Sequence, residues 1–207
     1  SSFDYGNTAI SFKRGTSATT KGTLLQTADH ADWNFASSDV TISFWAYIIT
    51  LEDHMSLIGQ STSASDTDWK IHTNAAGKPT VGIESVNQTQ GKSGDVKAKN
   101  WQYHTVTWDN SPATMRYYID GIVVLSGTTD HFADDAGNLE IGGGYYCGNL
   151  YMDEVMITKS EINPPRFYLG NQTPAAGGSL TAFKYVHFDG AADYYQIGGT
   201  NTGYNSF

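Results

Sequence analysis

The chain has 207 residues and a formal net charge of −9, with 12 Lys and Arg against 21 Asp and Glu. So few scattered cations cannot displace counterions from a phosphate backbone, which argues against nucleic-acid binding, and the same shortage disfavours anionic membrane surfaces. No apolar run approaches the roughly 20 residues of a membrane helix, and a single cysteine, Cys147, rules out an internal disulfide.

Aromatic residues make up 13% of the chain and charged residues only 16%, beside 22 glycines. Aromatic and β-branched side chains fit a half-buried pleated surface, so this balance points to strands joined by tight turns. Short strands are expected at Ile10–Phe12 and Leu24–Gln26. The clearest strand is Val40–Ile48. Its apolar residues Val40, Ile42, Phe44, Ala46 and Ile48 alternate with Thr41, Ser43, Trp45 and Tyr47, and bulk on both faces marks a central strand. Further short strands are expected at Ser56–Gly59, Trp69–His72 and Thr80–Glu84, with Asp66 and Asp68 in an acidic loop before Trp69.

Trp101–Trp108 alternates strongly, and Asp109-Asn-Ser-Pro112 ends it with turn chemistry. Met115–Ile119 and Ile122–Leu125 flank Asp120-Gly121, the signature of a type I′ hairpin with positive φ at both turn residues. Leu139–Ile141 and Leu150–Ile157 complete the strands. In the last of these, strict alternation places Leu150, Met152 and Met156 on one side and Tyr151, Asp153, Val155 and Ile157 on the other. A single helical turn is expected from the Thr158…Glu161 capping box before Pro164 and Pro165. Many short strands without helical interludes predict an all-β fold, a two-sheet antiparallel β-sandwich of jelly-roll type.

Catalytic patterns are absent from the sequence. Glycoside hydrolysis needs two carboxylates across the scissile bond, and on a strand they must fall at i, i+2 to share a face. Asp153 and Glu154 are neighbours, and Asp134 and Asp135 lie in an expected loop. No nucleophile elbow, zinc-binding helix or phosphate-cradling loop occurs. His104 alternates with Val106 and Trp108, which reads as a hydrogen-bonded sheet histidine. Among loop aromatics, Trp69, Tyr145 and Tyr146 are the candidate ligand-binding residues, since sugars stack their C–H faces on exposed rings.

Several segments resemble the laminin G-like, concanavalin A-like lectin/glucanase jelly rolls. Thr41-Ile-Ser-Phe-Trp45 is similar to that family's TISFW strand, and Trp101–Asp109 to its W-x-H-x-x-x-T-x-D strand. Tyr118-Ile-Asp-Gly121 is similar to its Y-x-D-G hairpin, Leu139-Glu-Ile-Gly142 to L-x-I-G, and Gly148–Ile157 to G-x-I-D-E-V-R-I, with Met156 in place of the usual Arg. The resemblance runs from about Ile10 to Ile162. It implies a concanavalin A-like sandwich, a surface recognition role with glycans or a neighbouring protein surface as partners, and a structural calcium ion held by oxygen ligands. Asp29, Asp32 and Asp153 match the calcium positions best.

Tyr185-Val-His-Phe188-Asp-Gly190 echoes Ala9-Ile-Ser-Phe12-Lys-Arg-Gly15. Residues 1–162 are therefore expected to form one jelly roll, 163–179 a Pro- and Gly-rich linker, and 180–207 either the start of a second copy or edge strands of the first. Unpaired strand edges need a partner, on this chain or on a neighbour, so self-assembly through residues 183–207 is one expectation. The leading expectation for function is a non-catalytic, carbohydrate-directed adhesion module outside the cell or on a virion. The alternatives are a structural virion component without a small ligand and, third, a glycoside hydrolase.

Overall fold

The computed structural model describes residues 9–15, 22, 24–33, 35, 38–63, 66–82, 88–111, 113–128, 137–143, 147–160 and 184–186, without the side chains of 61–63, 66–68 and 184–186. Thirteen strands are assigned among them: β1 (Ile10–Phe12), β2 (Leu25–Thr27), β3 (Val40–Ile48), β4 (Met55–Ser63), β5 (Asp66–Thr73), β6 (Pro79–Gly82), β7 (Gln88–Gln90), β8 (Trp101–Asn110), β9 (Ala113–Ile119), β10 (Ile122–Gly127), β11 (Asn138–Ile141), β12 (Leu150–Thr158) and β13 (Lys184–Val186). A 3-10 turn at Ala31–Trp33 is the only helical element among the described residues, and no helix is long and apolar enough to cross a membrane.

The strands form two antiparallel sheets. One runs β1-β12-β3-β8-β9-β10, with β13 also paired to β12; the other runs β2-β11-β4-β5-β6-β7. Alternation decides what each sheet buries. From the first sheet, Val40, Ile42, Phe44, Ala46 and Ile48 of β3 project inward with Val106 of β8 and Tyr117 of β9. From the second, Ile58, Trp69, Ile71, Val81 and Leu139 meet them, all within one buried cluster. This is the expected jelly-roll sandwich, with β3 central between β12 and β8.

The β9–β10 turn has φ of 52° at Asp120 and 76° at Gly121, the two positive values a type I′ hairpin requires. Two local readings are corrected. Asp66 and Asp68 lie on β5, because β4 and β5 pair as a long hairpin from Met55↔Thr73 to Ser63↔Asp66. The alternation along β12 breaks at a bulge between Asp153 and Met156, where Glu154 has φ 49°. The extra residue reverses the parity, so Val155 joins Leu150 and Met152 in the core while Met156 faces Ser43.

Gly142 ends β11 at φ +83°, and a Cβ there would collide with the ring of the buried Phe12. Gly142→Ala therefore combines left-handed backbone strain with overpacking, and is expected to destabilise the fold by about 3 kcal/mol. A urea titration checks this; an unchanged midpoint would show that Phe12 moves aside freely.

Candidate functional site

The exposed chemistry of the first sheet is aromatic. Trp101 of β8 lies directly opposite Tyr47 of β3, which lies directly opposite Tyr151 of β12. The three rings thus form a row across adjacent strands on the outward face, ending at the exposed Ser11 of β1, opposite Tyr151. Ring centroids are 5.7 Å apart for Tyr47–Trp101 and 6.0 Å for Tyr47–Tyr151. Trp101 remains 45% exposed and Tyr151 37%. Behind this row, Trp45 and Tyr103 pair at 5.2 Å and are largely covered. Direct cross-strand opposition of aromatic rings stabilises the sheet, and this one also presents apolar faces and phenolic hydroxyls to solvent.

The row is held at the amino-terminal end of β8. The loop before Trp101 is pinned by Gln102, whose Oε1 accepts from Lys97 N at 2.7 Å and whose Nε2 donates to Asp95 O at 3.0 Å. Lys99 N donates to Ile48 O at 2.7 Å. The hairpin tip is clasped to Tyr103: Tyr103 N donates to Asp120 Oδ1, and Asp120 N donates back to Tyr103 O, both at 2.8 Å. Ile122, 69% exposed just past the tip, extends the apolar surface at this end of the sheet.

The outward face of the second sheet is polar yet covered. Glu140, Lys70, His72, Thr80 and Ser56 are all buried. Among the described residues neither ring nitrogen of His72 has a hydrogen-bond partner, and burial, then the charge of Lys70, then His54, lower its pKa to about 3. In the core, His104 stacks on Phe44 with centroids 5.2 Å apart, and its Nδ1 lies 2.9 Å from the Tyr117 hydroxyl. Burial lowers its pKa to about 3 as well, and raises that of Tyr117. The expected sheet histidine is thus present as a neutral core group.

The residues singled out in the sequence are dispersed. Trp69 is not a loop aromatic: it is 0% exposed, lies 5.6 Å from Phe35 between ring centroids, and donates from Nε1 to Gln60 Oε1 at 3.0 Å. No ligand can stack on it. Tyr145 and Tyr146 lie outside the described residues. Asp29 accepts from Gln60 Nε2 at 3.3 Å, on the side of the second sheet. Asp32 sits 3.3 Å from His30 Nδ1. Asp153 lies on the first sheet opposite Trp45, and its Oδ1 accepts from Glu154 N at 2.8 Å. Among the described residues no three His, Cys, Asp or Glu side chains converge as a metal would require, so the three aspartates do not fit a shared calcium site.

The sequence pattern of the concanavalin A-like lectin/glucanases superfamily matches residues 19–166. The chain belongs to this superfamily. No curated protein matches it at the sequence level. Among solved structures, the sandwich is similar to the CBM40 domain of the Ruminococcus gnavus IT-sialidase, bound to α2,3-sialyllactose, at 9% identity and TM-score 0.50 over 68% of this chain and 91% of that one. It is similar to botulinum neurotoxin type C, described with two ganglioside molecules, at 13% identity and TM-score 0.55 over 74% and 39% of the two chains. It is also similar to the Trypanosoma rangeli sialidase, at 14% identity and TM-score 0.53 over 70% and 25%. The chain spans less than half the length of the neurotoxin and sialidase chains it matches. At such identities the likeness is one of fold, and within the superfamily chemistry must be read from this chain's own surface.

Proposed function

We propose that this chain is a non-catalytic carbohydrate-binding module whose ligand lies across the Trp101–Tyr47–Tyr151 row. The observation that carries this reading is the exposure of large rings in direct register on a rigid sheet, with Trp101 45% and Tyr151 37% accessible. A soluble domain leaves such rings in water at a cost of apolar hydration. Sugar C–H faces stacking on them would recover that cost, while the phenolic hydroxyls and the neighbouring Ser11 and Asn100 supply hydrogen bonds in a shallow site. Similarity to a carbohydrate-binding module bound to sialyllactose supports the same reading.

The composition of the row supports the non-catalytic reading. Rings and hydroxyls bind, but they supply neither a general acid nor a nucleophile. Two carboxylates of the same sheet are engaged by backbone amides, Asp120 with Tyr103 N and Asp153 with Glu154 N.

A glycan array spanning neutral and sialylated termini, read with the intact chain, tests the proposal. Trp101→Ala is expected to weaken the best hits about tenfold or more, as loss of an aromatic anchor does, with the thermal midpoint nearly unchanged because the ring is half in water. Binding to no glycan, or binding that survives both Trp101→Ala and Tyr151→Ala, would refute it.

A further inference from the structure

One edge of β12 is occupied along most of its length by β3, from Leu150↔Ile48 to Thr158↔Thr41. The opposite edge is shared by two separate segments. β1 pairs antiparallel with its first part, Ile10↔Met152 to Phe12↔Leu150. β13 pairs antiparallel with its last part, Val155↔Val186 to Ile157↔Lys184. These two segments carry the echoed sequence: Ala9-Ile10-Ser-Phe12 in one, Tyr185-Val186-His-Phe188 in the other. Two segments that overlap the echoed motif, sharing Ile10 in one and its counterpart Val186 in the other, therefore dock in the same orientation on the same edge of one strand.

The bulge separates the two positions. Glu154, at φ 49°, turns its N–H toward Asp153 Oδ1 at 2.8 Å instead of into the ladder. The edge is thereby cut into an upper slot at 150–152 and a lower slot at 155–157.

We propose that the lower slot exchanges its strand with a second copy of this chain. Three residues of pairing are a short hold. Releasing them bares the backbone donors and acceptors of Val155 to Ile157 on an edge that templates another strand. The connection from Lys159 to Phe183 is 25 residues long, against the two to five of a hairpin. At up to about 3.3 Å per residue it can span roughly 80 Å, enough to reach a neighbouring sandwich. A tether of this length gives the chain's own β13 an effective concentration on the order of millimolar, so crowding or surface display lets a neighbour's strand compete. The outcome is a head-to-tail chain in which each copy donates residues 184–186 and accepts the same residues from the next.

Met156 and Tyr185 are direct partners in this pairing, at a spacing a disulfide can bridge. In a Cys147→Ser background, the double variant Met156→Cys/Tyr185→Cys should oxidise to an internally cross-linked monomer in dilute solution. The exchange itself is read by mixing two single variants, Met156→Cys and Tyr185→Cys, in the same background at high concentration. A disulfide-linked heterodimer should form several-fold above a control mixing Tyr185→Cys with Val123→Cys, whose position is exposed on β10. Internal cross-linking without heterodimer above the control would overturn exchange. Absence of the internal cross-link in the double variant, with its circular dichroism intact, would overturn the slot.

Discussion

Acidification from neutral pH to about pH 5 is expected to remove about 4 kcal/mol of folding stability, about 2 kcal/mol for each of His72 and His104. Both imidazoles are buried, and burial holds both pKa values at about 3 against 6.5 in an open chain. Between those two values the unfolded chain binds protons that the folded protein refuses. The contribution is therefore complete above about pH 6.5 and is lost as pH falls toward 3. His104→Gln keeps a side-chain amide beside the Tyr117 hydroxyl while removing the titration. In urea melts between pH 6 and 4 its slope of stability against pH should be shallower by one proton, about 1.4 kcal/mol per unit. An unchanged slope would mean that His104 is protonated inside the fold.

Trp69→Ala should cost about 4 kcal/mol, within the range for truncating a fully buried ring. The indole fills space against Phe35 and also satisfies Gln60 Oε1, while Gln60 Nε2 is committed to Gly137 O at 2.8 Å and to Asp29. Trp69→Phe separates the two effects. It retains most of the apolar volume but removes the indole N–H donor to Gln60 Oε1, for an expected loss of about 1 kcal/mol. The contrast with Trp101→Ala is the sharper test: one tryptophan should govern the unfolding midpoint and the other ligand retention. Equal effects on both readouts would contradict the assignment of one ring to the core and the other to the surface.

These two tryptophans also show where sequence reading works and where it stops. The bounds of β3 follow directly from nine alternating residues, and the Asp120-Gly121 turn from its two positive-φ positions, because both depend on neighbours in the chain. Trp69 follows Asp66-Thr-Asp68, a polar run with loop composition; only its pairing with β4 turns that run into a strand and draws the indole inward. Trp101 shares its alternation with Tyr103, and alternation alone does not say which side meets water. That choice is made by strands far away in sequence, β3 and β12, which place Tyr47 and Tyr151 beside it. The bulge at Glu154 is equally silent, since nothing in Asp153-Glu-Val-Met156 says where an extra residue falls and only the parity shift against β3 reveals it. The buried polar face of His72, Lys70 and Glu140 was hidden for the same reason: each residue alone carries the character of a solvated surface position.

The lone thiol gives the fold an internal reporter. Cys147 is buried and uncross-linked; its Sγ lies 3.3 Å from Gly15 N and 3.6 Å from Lys13 O, just past β1. An alkylating reagent reaches that sulfur when the segments packed over it, Lys13 to Gly15 among them, move off the rim. The rate of its modification in native buffer therefore times the breathing of that corner separately from collapse of the whole sandwich.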